Sequence, residues 1–269
     1  MTWLSLAAGA AAAETGLAVV MAGAWAAQRA TGVSGWIDAI WTFGVGAAGA
    51  GLALGLGGAP WRTGAAAALS AVWALRLGGH IVRRTLKSGD DPRYAKLMRD
   101  WGEAAPRRLF GFLQAQAAVG AILALAIGLA AAHADAARLQ DALGFLIAVG
   151  ALVGESVADA QIARFKAAPS NRGQICDVGL WSRSRHPNYF FEWLYWVGVA
   201  VMAVGSDVTS WLALAAPAVM YSTLRYASGV PPLESHLLAT RGQAFQAYQA
   251  RTPVFFPRLR GQANRRATR

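Results

Sequence analysis

LFGFLQAQAAVGAILALAIGLAAA, residues 109–132, contains no charged side chain. A helix rises 1.5 Å per residue, so about 20 apolar residues cross the ~30 Å hydrocarbon layer of a membrane. This run is long enough to do so. Strands are excluded as the spanning element, because an open sheet edge in lipid leaves its N–H and C=O groups unpaired. The rest of the 269-residue chain agrees, with 55% hydrophobic and only 14% charged residues, against roughly 25% charged in an ordinary soluble domain.

Six further apolar runs lie outward from this one, at 3–27, 37–57, 63–81, 141–165, 190–204 and 208–228. The run at 190–204 is short and is expected to begin inside the motif before it. The first run has no basic residue ahead of it and is too long for the core of a signal peptide, so it reads as a retained helix. The predicted fold is all-α: a polytopic membrane bundle of seven transmembrane helices forming a single domain over residues 1–260. A disordered basic tail is expected at 261–269, where Arg side chains are attracted to anionic lipid.

Charge sets the expected orientation. With the N-terminus outside, 22 of the 25 Lys and Arg fall on inner segments, leaving Arg62 and Arg138 outside and Arg76 within the third run. Cytoplasmic loops of membrane proteins carry this excess, so the C-terminus is expected in the cytoplasm. The same distribution explains the net charge of +11 without a nucleic-acid partner. The one cysteine, Cys176, rules out an intrachain disulfide framework and a multi-cysteine zinc site. The four histidines are scattered, so no metal is expected, and His133 reads as a solvated loop residue.

Ionisable groups in a spanning helix are expensive and point to function. In the third run Arg76, His80, Arg83, Arg84 and Lys87 recur at helical spacing and share a face. In the fifth, Glu155 and Asp159 are one turn apart, with Lys166 further along the same side. Two like charges so placed repel, and they need a cation or a hydrogen-bond donor nearby. At the start of the sixth, Arg185, Asn188 and Glu192 share a face, with Tyr189 and Tyr195 beside them. All three faces are expected at the cytoplasmic ends of their helices, beside the long inner segments 82–108, 166–189 and 229–269. Arg pairs bidentately with phosphate, and Asn and carboxylates suit amides and ribose hydroxyls. A phosphorylated or nucleotide cofactor fits that chemistry, with an apolar substrate reaching the site from lipid. No GxGxxG follows a strand, so a Rossmann domain is not expected to hold it.

The segment Gly179-Leu-Trp-Ser-Arg-Ser-Arg-His-Pro-Asn-Tyr-Phe-Phe-Glu192 resembles the GLW-x-x-SRHPNYF-x-E signature of the DUF1295 family. That family is related to steroid 5-alpha-reductases and, more distantly, to isoprenylcysteine carboxyl methyltransferases. Further matching pieces are Asp38-x-x-Trp41, Asp90-Asp-Pro-Arg-Tyr94, Ala158-Asp-x-Gln161, Phe165-Lys166, Leu233-Glu234 and Tyr248-x-x-Arg251-Thr-Pro-x-Phe-x-Pro257. The resemblance covers nearly the whole chain. It implies a seven-helix protein that binds NADPH between helices and cytosolic loops, with Asn188 and Glu192 at the nicotinamide half. By the same resemblance Asp159, His80 and Arg84 contribute to the cofactor site, and Lys166, Arg185 and His186 complete the set. The reductases carry a tyrosine after the equivalent histidine, and here that position is Ile81. The acid that would polarise a substrate carbonyl is therefore open among Asp38, Tyr94 and Tyr189.

The resulting expectation is an NADPH-dependent reductase of an apolar lipid or steroid-like substrate, acting on an activated C=C in a bacterial inner membrane. The alternative is an S-adenosylmethionine-dependent membrane methyltransferase, which shares the RHPxY segment. Glu234 speaks against it, since it lacks a neighbouring second Glu. A third alternative is a non-enzymatic membrane partner or lipid-binding protein.

Overall fold

The computed structural model describes residues 2–88, 90–134 and 136–258, and no strand occurs among them. Along the chain run α1 (Trp3–Thr31), α2 (Gly35–Gly55), α3 (Pro60–Ser88), α4 (Pro92–Trp101), α5 (Ala105–Ala131), α6 (Leu139–Ala167), α7 (Pro187–Ala203), α8 (Ala215–Ser222) and α9 (Val230–Arg251). Local chemistry sets several ends. Thr2 Oγ1 caps α1 by accepting from the Ser5 N–H at 3.1 Å, and Gly32 closes the helix at φ 72°, a conformation that suits glycine. Asp91 caps α4, with Pro92 in the first turn.

Five stretches are long and apolar enough to cross a membrane: Trp3–Thr31, Gly35–Gly55, Pro60–Lys87, Arg93–Ala131 and Leu139–Ala167. The protein is an all-helical integral membrane protein. Beyond α6 the pattern differs from the sequence expectation. α7 starts at Pro187, immediately after the motif's histidine. The run at 208–228 is not one helix. It opens as a tight 3-10 stretch over Val208–Leu214, continues as α8 and ends in a π turn over Thr223–Ala227. Asp207 begins it by accepting from the Thr209 N–H at 3.0 Å, the short-range side-chain bond that favours a turn. The basic tail read at 261–269 lies outside the described residues.

The chain divides into two compact units, Met1–Ala148 with Trp196–Val219, and Val149–Tyr195 with Met220–Arg269. In the first unit α5 packs against α1, α2, α3 and α4, which is why the charge-free run is buried on more than one face. Lipid tails are as apolar as leucine, so membrane helices associate through close packing and hydrogen bonds. Here glycines permit that approach. A Cβ on Gly46 of α2 would lie 2.2 Å from Ala74 Cβ of α3, and Ser70 Oγ of α3 donates to the Gly46 carbonyl at 2.9 Å. Trp73 is fully buried, edge-on to Trp196 at 5.1 Å.

At one end of this unit an ion-pair cluster holds the last turn of α7. Arg62 is 0% exposed and Asp141 2% exposed, and Arg62 donates to both Asp141 oxygens and to the Met202 carbonyl. Arg138 also pairs with Asp141 at 2.8 Å and donates to the carbonyls of Met202 and Val204. Gln140 donates to the carbonyls of Val201 and Val204, and His133 Nε2 bonds the Ala203 carbonyl. The final carbonyls of a helix have no intrahelical partner and carry partial negative charge, so cations suit them. His133 is thus a capping residue, not the solvated one the sequence suggested.

Candidate functional site

The second unit contains the motif that runs into α7. Its turn needs glycine at position 179, where φ is +59° and a Cβ would fall 2.6 Å from Gln161 Oε1. That oxygen accepts from the Leu180 N–H at 2.9 Å, and Trp181 Nε1 donates to the Ala158 carbonyl at 2.9 Å. The Ala158-x-x-Gln161 piece on α6 therefore braces the Gly179-Leu-Trp turn. Downstream, the Arg185 N–H donates to the Pro253 carbonyl and the Arg258 N–H to the Arg183 carbonyl. Ser184 Oγ donates to the Phe255 carbonyl at 2.8 Å and accepts from the His186 N–H. The motif and the segment after α9 are thus stitched together through their backbones.

Glu234 of α9 is the centre of the charged group. Its carboxylate accepts from Arg185 Nε at 2.7 Å, from His186 Nε2 at 2.9 Å and from Gln249 Nε2 at 2.8 Å. Burial alone would raise this carboxyl, but the bonds from His186, Arg185 and Gln249 outweigh it and hold the pKa at about 2. Burial also pushes His186 below its ordinary value, against the opposing pull of Glu234. The imidazole is therefore neutral at physiological pH, with its proton on Nε2 facing the carboxylate. It stacks on Tyr189, with ring centres 5.3 Å apart and planes 7° from parallel.

Arg185 is committed within this group. Its remaining donors reach the carbonyls of Thr252 at 2.6 Å and Gln249 at 3.3 Å, so it clamps the end of α9 as well as Glu234. The cations left available for phosphate are others. Arg164, Lys166, Arg172 and Arg183 are exposed and make no ion pair among the described residues. Asn188, in the first turn of α7, is half-buried, and its amide makes no hydrogen bond among the described residues. Glu192, one turn on, is buried. α6 and α7 meet closely where the Phe191 ring occupies the space a Gly154 side chain would need. Buried Glu155 and buried Glu192 each sit next to that contact on their own helix, and Asp159 lies one turn beyond Glu155, half-buried.

The first unit holds the other sequence-derived residues. His80 is half-buried on α3. Tyr94, buried on α4, donates to Asp38 Oδ1 at 2.8 Å and accepts from Gln116 Nε2 at 3.2 Å. Arg93 bridges Asp38 to Asp91, and Arg84 pairs with Asp91 at 2.9 Å. Asp91 is buried, which alone would raise its pKa, yet Arg93 and Arg84 hold it below the ordinary carboxylate range. Asp38, Tyr94 and Arg84 thus belong to one clasp joining α2, α3 and α4. The Asp90-Asp-Pro-Arg-Tyr94 piece is explained by that clasp.

The sequence offered Glu234 as a matching position and as an argument against the methyltransferase alternative, but not as part of the site, and gave Gln249 no role. The only signal for either was their place in the pieces around Leu233 and Tyr248, because nothing in linear spacing joins position 186 to 234. Among the described residues no group of His, Cys, Asp and Glu is arranged to hold a metal.

The family model described as "Protein of unknown function (DUF1295)" matches residues 24–252. No curated protein and no solved structure matches the chain. With the motif, its brace on α6 and the C-terminal segment stitched to it all falling within or beside the matched range, the chain belongs to the DUF1295 family.

Proposed function

We propose that this protein is an NADPH-dependent reductase of an apolar, lipid- or steroid-like substrate. It has seven membrane-spanning segments, its N-terminus outside and its C-terminus in the cytoplasm of a bacterial cell. The observation that carries the reading is Asn188: an amide at the start of α7 that makes no hydrogen bond among the described residues, one turn from buried Glu192 and in the same unit as four exposed cations that make no ion pair among the described residues. An amide and a carboxylate one turn apart suit the nicotinamide carboxamide, and Arg164, Lys166, Arg172 and Arg183 suit the pyrophosphate and 2′-phosphate. NADPH, when bound, supplies the hydride for the C=C bond. The chain's own residues bind and orient it, exclude water and return a proton. Tyr189, in the same turn as Asn188, is the proposed proton donor. The resemblance of the motif to that of the steroid 5-alpha-reductases supports the reaction class.

Asn188→Ala and Glu192→Gln test the reading. Each should weaken NADPH binding by about 1–3 kcal/mol, the range for losing a buried hydrogen-bond partner, while the folded yield in detergent stays at the parent level. Binding indistinguishable from the parent in both variants would make the pair structural and remove the reading.

A further inference from the structure

α1 and α5 lie side by side in the first unit, and one bond fixes how the end of α1 meets the start of α5. Trp25 Nε1 donates to the Pro106 carbonyl at 2.9 Å, and its ring stands edge-on to Phe110 at 5.6 Å. Arg29, in the last turn of α1, lies over the Trp25 ring with its guanidinium 5.4 Å from the ring centre. A cation–π contact uses none of that group's five N–H donors. Arg107 and Arg108 follow Pro106 directly. All three arginines are exposed, and their side chains make no hydrogen bond or ion pair among the described residues. The acids that precede α5 do not answer them. Asp100 pairs with Lys96 at 2.6 Å, and Glu103 is exposed and in no ion pair among the described residues.

Depth, placement and room say what such a cluster would hold. The apolar run of α1 ends just before Arg29, and the charge-free run of α5 begins just after Arg108. The cations of both helices therefore fall at one membrane boundary, with Trp25 just inside it, a level that Trp favours. Arg107 and Arg108 stand at the start of α5, whose first turn carries no acid. Cations there oppose the partial positive charge of the helix start, and an anion beside them relieves the repulsion. Gly111, one turn deeper on the same side of α5, is exposed, and a side chain built on it would meet nothing within 4 Å. That space lies beside Phe110, which is itself exposed.

We propose that the junction of α1 and α5 binds an anionic phospholipid. Arg29, Arg107 and Arg108 hold its phosphodiester, and one acyl chain lies over Gly111 beside Phe110. Arg suits a bidentate phosphate contact, and basic surfaces between membrane helices take anionic head groups. A zwitterionic choline lipid carries the same phosphate but brings a fourth cation to the three. None of these residues belongs to the proposed cofactor set, so the site does not depend on NADPH.

Native mass spectrometry of the full chain in detergent, titrated with dioleoyl phosphatidylglycerol or dioleoyl phosphatidylcholine, reads the site. Phosphatidylglycerol should bind at least about tenfold more tightly, since each arginine near the surface contributes about fivefold for an anionic lipid. The double variant Arg107→Gln, Arg108→Gln should lose about tenfold or more of that affinity, and Arg29→Gln about fivefold. Arg241→Gln removes the same charge from an exposed position on α9 and should bind like the parent. Exposed substitutions of this kind disturb folding little, and Arg29→Gln decides by itself if the double variant does not fold. Inorganic phosphate at millimolar concentration separates the lipid from a soluble anion. It should leave phosphatidylglycerol bound, because it has no acyl chain to lay on α5. Equal affinity for the two lipids in the parent would overturn the proposal. So would an equal loss in Arg29→Gln and Arg241→Gln, or displacement of the lipid by millimolar phosphate.

Discussion

Asp141→Ala is expected to destabilise the protein by about 3–5 kcal/mol, because removing one partner of a buried ion pair leaves the other charge uncompensated. Arg62 is the charge left behind. It is 0% exposed, and apart from Asp141 its guanidinium has the Met202 carbonyl at 3.3 Å and the face of the Trp61 ring at 4.8 Å among the described residues. Arg138 loses the same carboxylate, so the grip on the last carbonyls of α7 loosens as well. Denaturant unfolding in detergent measures the loss. A double variant, Arg62→Leu with Asp141→Ala, should recover part of it, since no buried charge then remains. A single-variant loss below about 1 kcal/mol, the worth of an exposed pair, would mean that the cluster does not hold this end of the first unit.

Glu234→Ala has the second large effect. Arg185, His186 and Gln249 lose a shared acceptor together; Arg185 and Glu234 are each 12% exposed, so the loss lies toward the lower end of the about 3–5 kcal/mol for breaking a buried pair. The pH dependence has a definite sign. The carboxyl titrates at about 2 in the folded protein against an ordinary 4.5, so its contribution is complete above 4.5 and is lost as the pH falls toward 2. The parent should lose stability over that range and Glu234→Ala should lose less. Equal acid sensitivity in the two proteins would place the titrating group elsewhere.

The spanning stretches from α1 to α6 were legible because apolar length alone signals them, and the run at 109–132 lies within α5. α7 was legible in its start, since Pro187 marks a first turn. The break in 208–228 was not, because hydropathy does not separate a 3-10 stretch and a π turn from a continuous helix. Pairings across distance were also hidden. Arg62 and Asp141 are 79 residues apart, and each reads alone as a loop residue near a membrane boundary. At the site, spacing placed Asn188 and Glu192 one turn apart, but it gave no sign that Arg185 is occupied by Glu234 and two carbonyls. It likewise gave no sign that Tyr94 and Asp38 bond each other. Composition marks which residues are costly in lipid; only the fold reveals which already have partners.

The central claim is cofactor identity, and a titration of the purified full chain with NADPH, NADH and S-adenosylmethionine in lipid nanodiscs tests it most directly. NADPH should bind at least about tenfold more tightly than NADH, because the 2′-phosphate adds a charge-assisted contact to the exposed cations of the second unit. S-adenosylmethionine should not bind. Equal affinity for NADPH and NADH, or binding of S-adenosylmethionine in place of either, would contradict the account.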